Sequence, residues 1–193
     1  LQEPLRKIQS FGDILKSNFS GELGNGVDYL ERMQAAAARM SILIKDLLNY
    51  SRLSTYHDKL AAVSLSAVVA RVLDDLDLSI QETKAIIETD ALPTILGDES
   101  QLQQLFQNLL SNALKFHKPN VTPFIRVTSQ KIAATDLPPT IKPAQWSSAY
   151  YRIRISDNGI GFDEQYLNRI FQAFQRLHTR SQYAGTGIGL AIC

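Results

Sequence analysis

The chain has 193 residues, 45% of them hydrophobic, and its 20 Lys and Arg residues stand against 19 Asp and Glu residues, for a formal net charge of +1. This length and composition predict a folded protein of one or two domains, and the balanced charge does not indicate a nucleic-acid partner. A single cysteine, Cys193, excludes an internal disulfide, and we find neither a signal-peptide pattern nor the roughly 18 consecutive apolar residues that span a bilayer. We therefore expect a cytoplasmic setting, either alone or as the cytoplasmic part of a larger protein tethered to a membrane.

The first 57 residues predict two long helices. Apolar residues recur at helical spacing from Leu1 to Leu15, "SGELGNG" breaks the pattern, and a near-heptad series then runs from Val27 to about Leu53. One helical hairpin buries too little apolar surface to be stable alone. We therefore expect two chains to pair their hairpins in a four-helix bundle, or else the hairpin to pack on the rest of its own chain.

From residue 58 the sequence changes to short mixed elements, which indicate a second domain. We predict strands at "LAAVSL", "AIIET", "PTIL", "PFIRVTSQ" and "YYRIRIS", and a helix that Ser66 caps and that runs to about Glu82. A further amphipathic helix is predicted from Asp98 to Lys118. The last two strands flank a long insertion that holds three of the seven prolines and the only tryptophan, Trp146. Trp146 either offers a site to a partner or, as we expect, pins this insertion onto the sheet.

Three segments of the second domain indicate a ligand site. Five of the ten glycines fall in "DNGIGFD" at 157–163 and "GTGIGL" at 185–190, and glycine is favoured where φ is positive or another group approaches the backbone closely. Either segment alone also fits a simple turn or helix cap. In "QNLLSNALKF", however, Asn108 and Asn112 stand four residues apart with Lys115 one turn later, so two amides and an ammonium share a helix face. Amide oxygens can ligate Mg²⁺ beside phosphate oxygens and water, although an exposed polar stripe is the alternative.

Taken in order, "NLLSNALKF", "DNGIGFD", "IFQAFQRLH" and "GTGIGLAIC" resemble the Asn, first glycine, phenylalanine and second glycine boxes of two-component sensor histidine kinases. The opening "LQEPLRKI" resembles the end of the histidine box of phytochrome-type members. The resemblance implies an α+β protein. Residues 1–57 would be the antiparallel dimerisation and histidine-phosphotransfer hairpin, and residues 58–193 an ATP-binding α/β sandwich of the gyrase and histidine kinase type. It also implies that the acceptor histidine lies upstream of Leu1 and that the sandwich continues past Cys193.

The resemblance further implies roles for the box residues. Asp157 would accept a hydrogen bond from the adenine amino group, as a buried carboxylate that needs a partner. Asn112 would ligate Mg²⁺, Asn108 would support the metal and phosphate region, and Lys115 would contact phosphate. The second glycine box would offer backbone amides to the phosphates at the start of a helix. The nucleotide-binding residues implied in this way are Asn112, Lys115, Asp157, Gly159, Gly161, Gly185, Thr186, Gly187, Gly189 and Leu190.

The segment between the glycine boxes would form a lid from about Gln175 to Ala184. Phe171 and Phe174 would pack this lid rather than touch nucleotide. Arg176 and Arg180 would either reach the γ-phosphate or stay solvated.

The chain's own histidines, His57, His117 and His178, lack the histidine-box pattern, so none is expected to be the acceptor. Glu3 falls where many relatives carry a residue that orients water for phosphatase action, and its role stays open.

The sequence thus predicts the catalytic core of a dimeric sensor histidine kinase that uses ATP and Mg²⁺. It would phosphorylate a histidine, pass the phosphoryl group to an aspartate of a response regulator receiver domain, and answer to an upstream sensor domain. Two alternatives are a kinase-derived scaffold without catalysis and a gyrase-like ATPase. The second is disfavoured because Asn108 stands where hydrolysis would use a base to activate water.

Overall fold

A computed structural model describes residues 2–53, 60–143, 146–177, 183 and 186–193. Its first unit is a helical hairpin of α1 (Gln2–Leu23) and α2 (Gly26–Leu53). The predicted break at "SGELGNG" is too long, because α1 continues through Gly21 and only residues 24 and 25 lie between the helices. The chain reverses at Gly24, whose φ of +48° is a left-handed conformation that glycine adopts without steric cost.

Both apolar and polar contacts join α1 to α2. Leu5, Leu30 and Ala37 are buried. Gln34 Nε2 donates to Asp13 Oδ1 at 2.8 Å, and its side chain lies where a Cβ on Gly12 would approach within 2.6 Å. Glycine at position 12 thus leaves room for the Gln34 amide in this register, and a side chain there would displace it.

Many large apolar side chains of the hairpin stay exposed. They are Ile8, Phe11, Ile14, Leu15, Phe19, Tyr29, Met33, Met40, Ile42, Leu47 and Leu48. Neither of the two helices, nor any other helix in the described ranges, is long and apolar enough to cross a membrane. The hairpin thus leaves most of its apolar seam uncovered by its own chain.

The second unit contains two small sheets. Strand β1 (Ala61–Ser64) pairs antiparallel with β3 (Thr94–Gly97). Strand β4 (Phe124–Ala133) lies between β2 (Ile86–Thr89), which is parallel to it, and β5 (Ala149–Asp157), which is antiparallel. All five predicted strands are confirmed, and so is the α+β class.

Three helices pack on these sheets: α3 (Leu65–Asp75), α4 (Asp77–Thr83) and α5 (Glu99–Lys115). Val72 of α3, Leu110 of α5 and Ile125 of β4 are fully buried in the shared core. Helix α5 buries its predicted apolar stripe there, so its polar face, which carries the two asparagines, is turned away from the core. Two four-residue helices follow later in the chain, α6 (Leu167–Ile170) and α7 (Gly189–Ile192).

Three features of the predicted helices were wrong. Ser64, not Ser66, caps α3, because Ser64 Oγ accepts the N–H of Ala67 at 3.3 Å. The Ser66 hydroxyl instead accepts the N–H of Leu92 at 3.1 Å and donates to its carbonyl at 3.2 Å. The helix that was expected to run to Glu82 is divided between α3 and α4 at Leu76, and α5 ends at Lys115 rather than Lys118.

The insertion between β4 and β5 forms as predicted, but Trp146 does not pin it. The two strands pair from Ile125 with Asp157 to Ala133 with Ala149. Trp146 is 83% exposed, whereas the hydroxyl of Tyr150 accepts the N–H of Ser147 at 2.9 Å. The contact that holds the end of the insertion to β5 is therefore made by Tyr150.

Candidate functional site

A cavity of about 640 Å³ lies between α5, the end of β5 and the segments that carry α6 and α7. Sites for small molecules typically measure roughly 300–1,000 Å³. The predicted site residues that line it are Asn108, Asn112, Lys115, Asp157, Gly161, Thr186, Gly187, Gly189 and Leu190. Gly159 lies beside this lining, and Gly185 lies outside the described residues. The fold thus brings the asparagine-bearing helix and both glycine segments, which are distant in sequence, to one cavity.

The first glycine box is fastened to the end of α5. A Cβ on Gly159 would lie 2.5 Å from the carbonyl oxygen of Phe116, and the same oxygen accepts the N–H of Ile160 at 2.9 Å. Gly161 has a φ of +64°, a conformation that favours glycine. Glycine is therefore needed at position 159 because the Phe116 carbonyl lies so close, and it is favoured at position 161 because of the positive φ.

Asp157 ends β5 at the cavity wall. Its Oδ1 accepts the N–H of Gly159 at 2.8 Å, which closes the turn and directs the carboxylate. The side chain is exposed, so the expected burial of this carboxylate was wrong: no residues of the described chain cover it. Within the described part of the chain, Oδ2 is the oxygen that stays available to a ligand donor.

Sequence reasoning missed Asn158, which anchors the same turn. Its Oδ1 accepts the N–H of Phe124 at 2.9 Å and its Nδ2 donates to the carbonyl of Thr122 at 3.0 Å. An asparagine next to a glycine is the only sequence signal for this role, because turns favour that pair. Asn158 thus fixes the box to the start of β4.

The polar face of α5 forms another wall. Asn108 Nδ2 donates to the carbonyl of Gly189 at 3.1 Å, so this amide joins α5 to α7. The Lys115 ammonium lies 4.4 Å from the ring centroid of Phe116. Partial burial lowers the pKa of Lys115 below its ordinary value, and the positive charge of Arg176 lowers it further. Two cations that repel each other in a partly desolvated cavity are stabilised by a bound anion.

The second glycine box packs against the segment before the lid. Gly187 has a φ of +77°, and a Cβ there would lie 2.7 Å from the carbonyl oxygen of Gln175. Gly189 begins α7, where a helix was expected to start. A side chain at Gly187 would therefore be both strained and obstructed.

The lid residues are only partly described. Phe171 lines the cavity, although we expected it to pack the lid, and Phe174 does not line it. Arg176 also lines the cavity, and its Nη2 donates to the carbonyl of Tyr183 at 2.6 Å. Arg180 lies outside the described residues.

Two other predicted residues that the structure describes, His117 and Glu3, do not line the cavity. His117 lies just beyond α5, with its Nδ1 2.7 Å from the carbonyl oxygen of Leu114, and His57 and His178 lie outside the described residues. Near the start of α1, both carboxylate oxygens of Glu3 accept hydrogen bonds from Arg6, the shorter at 2.7 Å.

One lining residue comes from the hairpin and had no sequence signal. Asp46 of α2 lines the cavity, and its Oδ2 accepts the hydroxyl of Thr186 at 2.6 Å. The two residues are 140 positions apart, so only the tertiary structure brings them together. The second glycine box is thereby joined to the hairpin as well as to α5.

Comparisons with known proteins agree with this geometry. Residues 97–193 match the family described as histidine kinase-, DNA gyrase B-, and HSP90-like ATPase. The full chain aligns at 35% identity with the phytochrome-like protein Cph1 of Synechocystis sp. and at 29% with the sensor histidine kinase TrcS of Mycobacterium tuberculosis. It spans only 24% of the length of Cph1 and 36% of that of TrcS.

The fold has solved counterparts. The crystal structure of full-length ShkA in complex with AMPPNP superposes with a TM-score of 0.65, covering 99% of this chain and 37% of that one at 22% identity. At this identity the likeness concerns the fold, which is the predicted gyrase and histidine kinase type. From the family match, the named relatives and the fold together, this chain belongs to the histidine kinase-, DNA gyrase B-, and HSP90-like ATPases and contains an ATP-binding histidine kinase catalytic domain.

Proposed function

We propose that the chain is the catalytic core of a two-component sensor histidine kinase. It binds ATP with Mg²⁺, transfers the γ-phosphoryl group to a histidine upstream of the 193 residues, and delivers it to an aspartate of a response regulator. The observation that carries the proposal is that one cavity joins the asparagine face of α5, the strand-end Asp157 and the second glycine box. Residues 58–193 form the nucleotide-binding domain in this proposal, and residues 1–57 the dimerisation and phosphotransfer hairpin.

The adenine end of ATP would lie at the end of β5. Asp157 Oδ2 would accept a hydrogen bond from the exocyclic amine, while Oδ1 is held by Gly159. Apolar residues of the lining supply a surface for the base. They are Ile155, Ile160, Phe162, Leu167 and Ile170. Adenine is a flat ring with a hydrogen-bond donor on its edge, and it suits a site that combines an apolar surface with one carboxylate.

The phosphate end would lie between α5 and the second glycine box. Lys115 supplies positive charge there, and the backbone from Thr186 to Leu190, which borders the cavity, would supply donors. Within the described ranges, no group of three or more His, Cys, Asp or Glu side chains could hold a metal alone. The donor set therefore fits a Mg²⁺ that comes with the nucleotide, because this ion usually keeps phosphate and water ligands and takes few from protein. Asn112 would contribute an amide oxygen, and the bound ion would neutralise phosphate charge.

Positioning would account for most of the catalysis. Phosphoryl transfer demands in-line geometry and charge neutralisation more than covalent help from the protein. Asn108, held by Gly189, would keep α5 and the glycine box aligned during transfer. Its neutral amide cannot act as the base that hydrolysis would use, which favours a kinase over a gyrase-like ATPase.

The exposed apolar seam of the hairpin supports a homodimer. One hairpin leaves side chains such as Phe11, Met33 and Met40 about half exposed, and two hairpins in a four-helix bundle would cover them. The names of the relatives, phytochrome-like protein and sensor histidine kinase, support an upstream sensor domain and a response regulator as partners. A cytoplasmic location belongs to this proposal.

Replacing Asp157 with asparagine should weaken ATP binding by at least about 1.5 kcal/mol, or roughly tenfold, because an acceptor-only group that bonds adenine becomes an amide. Isothermal titration calorimetry measures the change. The control is Asp163→Asn, since the Asp163 carboxylate accepts the N–H of Gln165 and lies outside the cavity lining. Equal affinities in Asp157→Asn and the parent would refute the role in adenine binding.

Replacing Asn112 with alanine should reduce the gain in ATP affinity that Mg²⁺ provides, because a metal ligand is removed while the charges of the site are unchanged. The measurement is ATP affinity with Mg²⁺ and with EDTA. Gln103→Ala removes an amide from the same helix, outside the cavity lining, and should keep the full magnesium effect. A magnesium effect that Asn112→Ala retains in full would contradict metal ligation.

The double substitution Met33→Glu, Met40→Glu should dissociate the dimer, because unpaired charges buried in the bundle cost several kcal/mol. Sedimentation velocity gives the state of association. The control Lys45→Glu changes charge at an exposed position of the same helix and should leave the dimer intact. A double variant that sediments like the parent would refute pairing through this seam.

Incubated with γ-labelled ATP, the 193-residue chain should bind nucleotide but stay unlabelled, whereas a chain extended upstream by a few helical turns should acquire acid-labile phosphate on one histidine. The reason is that transfer needs the imidazole at roughly 3–3.5 Å from the phosphorus. Acid-labile label on His57, His117 or His178 would overturn the mechanism. ATP binding without label on the extended chain would favour the non-catalytic scaffold.

A further inference from the structure

The second glycine box is bound to the hairpin by one short hydrogen bond. Thr186 Oγ1 donates to Asp46 Oδ2 at 2.6 Å, and both side chains are partly buried. Hydroxyl–carboxylate bonds of roughly 2.5–2.7 Å are charge-assisted and about twice as strong as neutral ones. The bond therefore holds α2 firmly against a loop that borders the cavity.

The residues next to Thr186 are held by the catalytic domain instead. Gly187 packs against the carbonyl of Gln175, and the carbonyl of Gly189 accepts a hydrogen bond from Asn108. The box thus has its backbone bonded to the catalytic domain and the Thr186 side chain bonded to the hairpin, while α7 also lies against α2. A movement of the hairpin away from this domain must break the bond between Thr186 and Asp46.

The carboxylate of Asp46 accepts the one proton that the Thr186 hydroxyl could donate to a phosphate oxygen. Asp46 lines the same cavity as Lys115 and Arg176, the cations that an anionic ligand would approach. A threonine hydroxyl has one proton to donate, so it cannot donate to Asp46 and to a phosphate oxygen at once. A triphosphate beside Asp46 would also be repelled by its negative charge.

We propose that Asp46 is an internal competitor for the anionic end of the nucleotide. The glycine box cannot bind the phosphates of ATP and keep its hydrogen bond to α2 at the same time. ATP binding therefore releases the catalytic domain from the hairpin. The inference rests on the proposed function, since it requires that this loop bind phosphates. Because coupling between two equilibria is reciprocal, whatever strengthens the contact with Asp46 also weakens ATP binding by the same factor.

The competition predicts that removing the carboxylate strengthens ATP binding. In calorimetric titrations of the full chain, Asp46→Ala should bind ATP at least about fivefold more tightly than the parent, the low end of typical coupling factors. Asp46→Asn should bind ATP more tightly as well, because it removes the charge. Adenosine, which has no phosphates, should bind all three proteins equally.

The matched control is Asp28→Asn, which removes a carboxylate from the same helix about 27 Å away along its axis. Asp28 is exposed and paired with Arg32, and its loss should leave ATP affinity unchanged. A second readout needs no nucleotide: amide hydrogen exchange in residues 186–193 should be faster in Asp46→Ala than in the parent. ATP should reduce the difference between the two proteins.

The outcomes separate this inference from the function on which it rests. If the parent binds ATP and Asp46→Ala binds it equally or more weakly, the competition is refuted and the proposed function stands. A weaker affinity only in the presence of Mg²⁺ would assign Asp46 to the metal instead. If neither protein binds ATP, the proposed function fails and the inference fails with it, whereas ATP binding by Asp46→Ala alone would support both.

Discussion

The carbonyl of Phe116 is the contact on which the site depends. This oxygen accepts the N–H of Ile160, and it lies so close to Gly159 that no side chain fits there. It belongs to the residue that follows the last turn of α5, so this carbonyl ties the end of that helix to the turn after β5, in addition to the packing of α5 and β5 in the core. The asparagine face and Asp157 border one cavity because this contact holds their elements together.

The charged groups of the cavity differ in burial as well as in sign. Partial burial lowers the pKa of Lys115, and the positive charge of Arg176 lowers it further. Asp157 stands at the far end, exposed and bound to a backbone amide. Cations thus lie toward α5 and one carboxylate lies at the strand end, while Asp46 brings a second carboxylate into the lining from the hairpin. A ligand that offers a hydrogen-bond donor to Asp157 and negative charge to Lys115 matches the first two of these features.

Most of the site could be predicted from sequence because its signals are local. The i and i+4 spacing of Asn108 and Asn112, the apolar stripe of α5 and the two glycine segments are all read within one helix or loop. Asp46 could not be found in this way, because polar residues are common on amphipathic helices. Its contact with Thr186 arises only in the tertiary structure. Asp157 was expected to be a buried carboxylate paired with a ligand, but it lies at the surface, where the Gly159 amide supplies a partner.

The errors in the fold have similar causes. Two serines near the start of α3 can each act as a cap, and the choice is made by distant residues: β1 pairs with β3 through Ser64, and Ser66 is bonded to Leu92. Trp146 was expected to pin the insertion onto the sheet, yet it is exposed, and Tyr150 makes a contact that holds the end of the insertion. Gly21 was read as a helix break, but an interior glycine costs only about 1 kcal/mol, which packing of a long helix can offset.

The fit of Gln34 against Gly12 opposes a change in the register of the hairpin. A shift of α1 along α2 by one residue would bring a side-chain carbon of Phe11 or Asp13 to the space that Gln34 fills, and would break the bond of its amide to Asp13. A small change in the crossing angle about this point leaves the glycine opposite the amide. The contact therefore opposes an axial shift at mid-length more than a change in crossing angle.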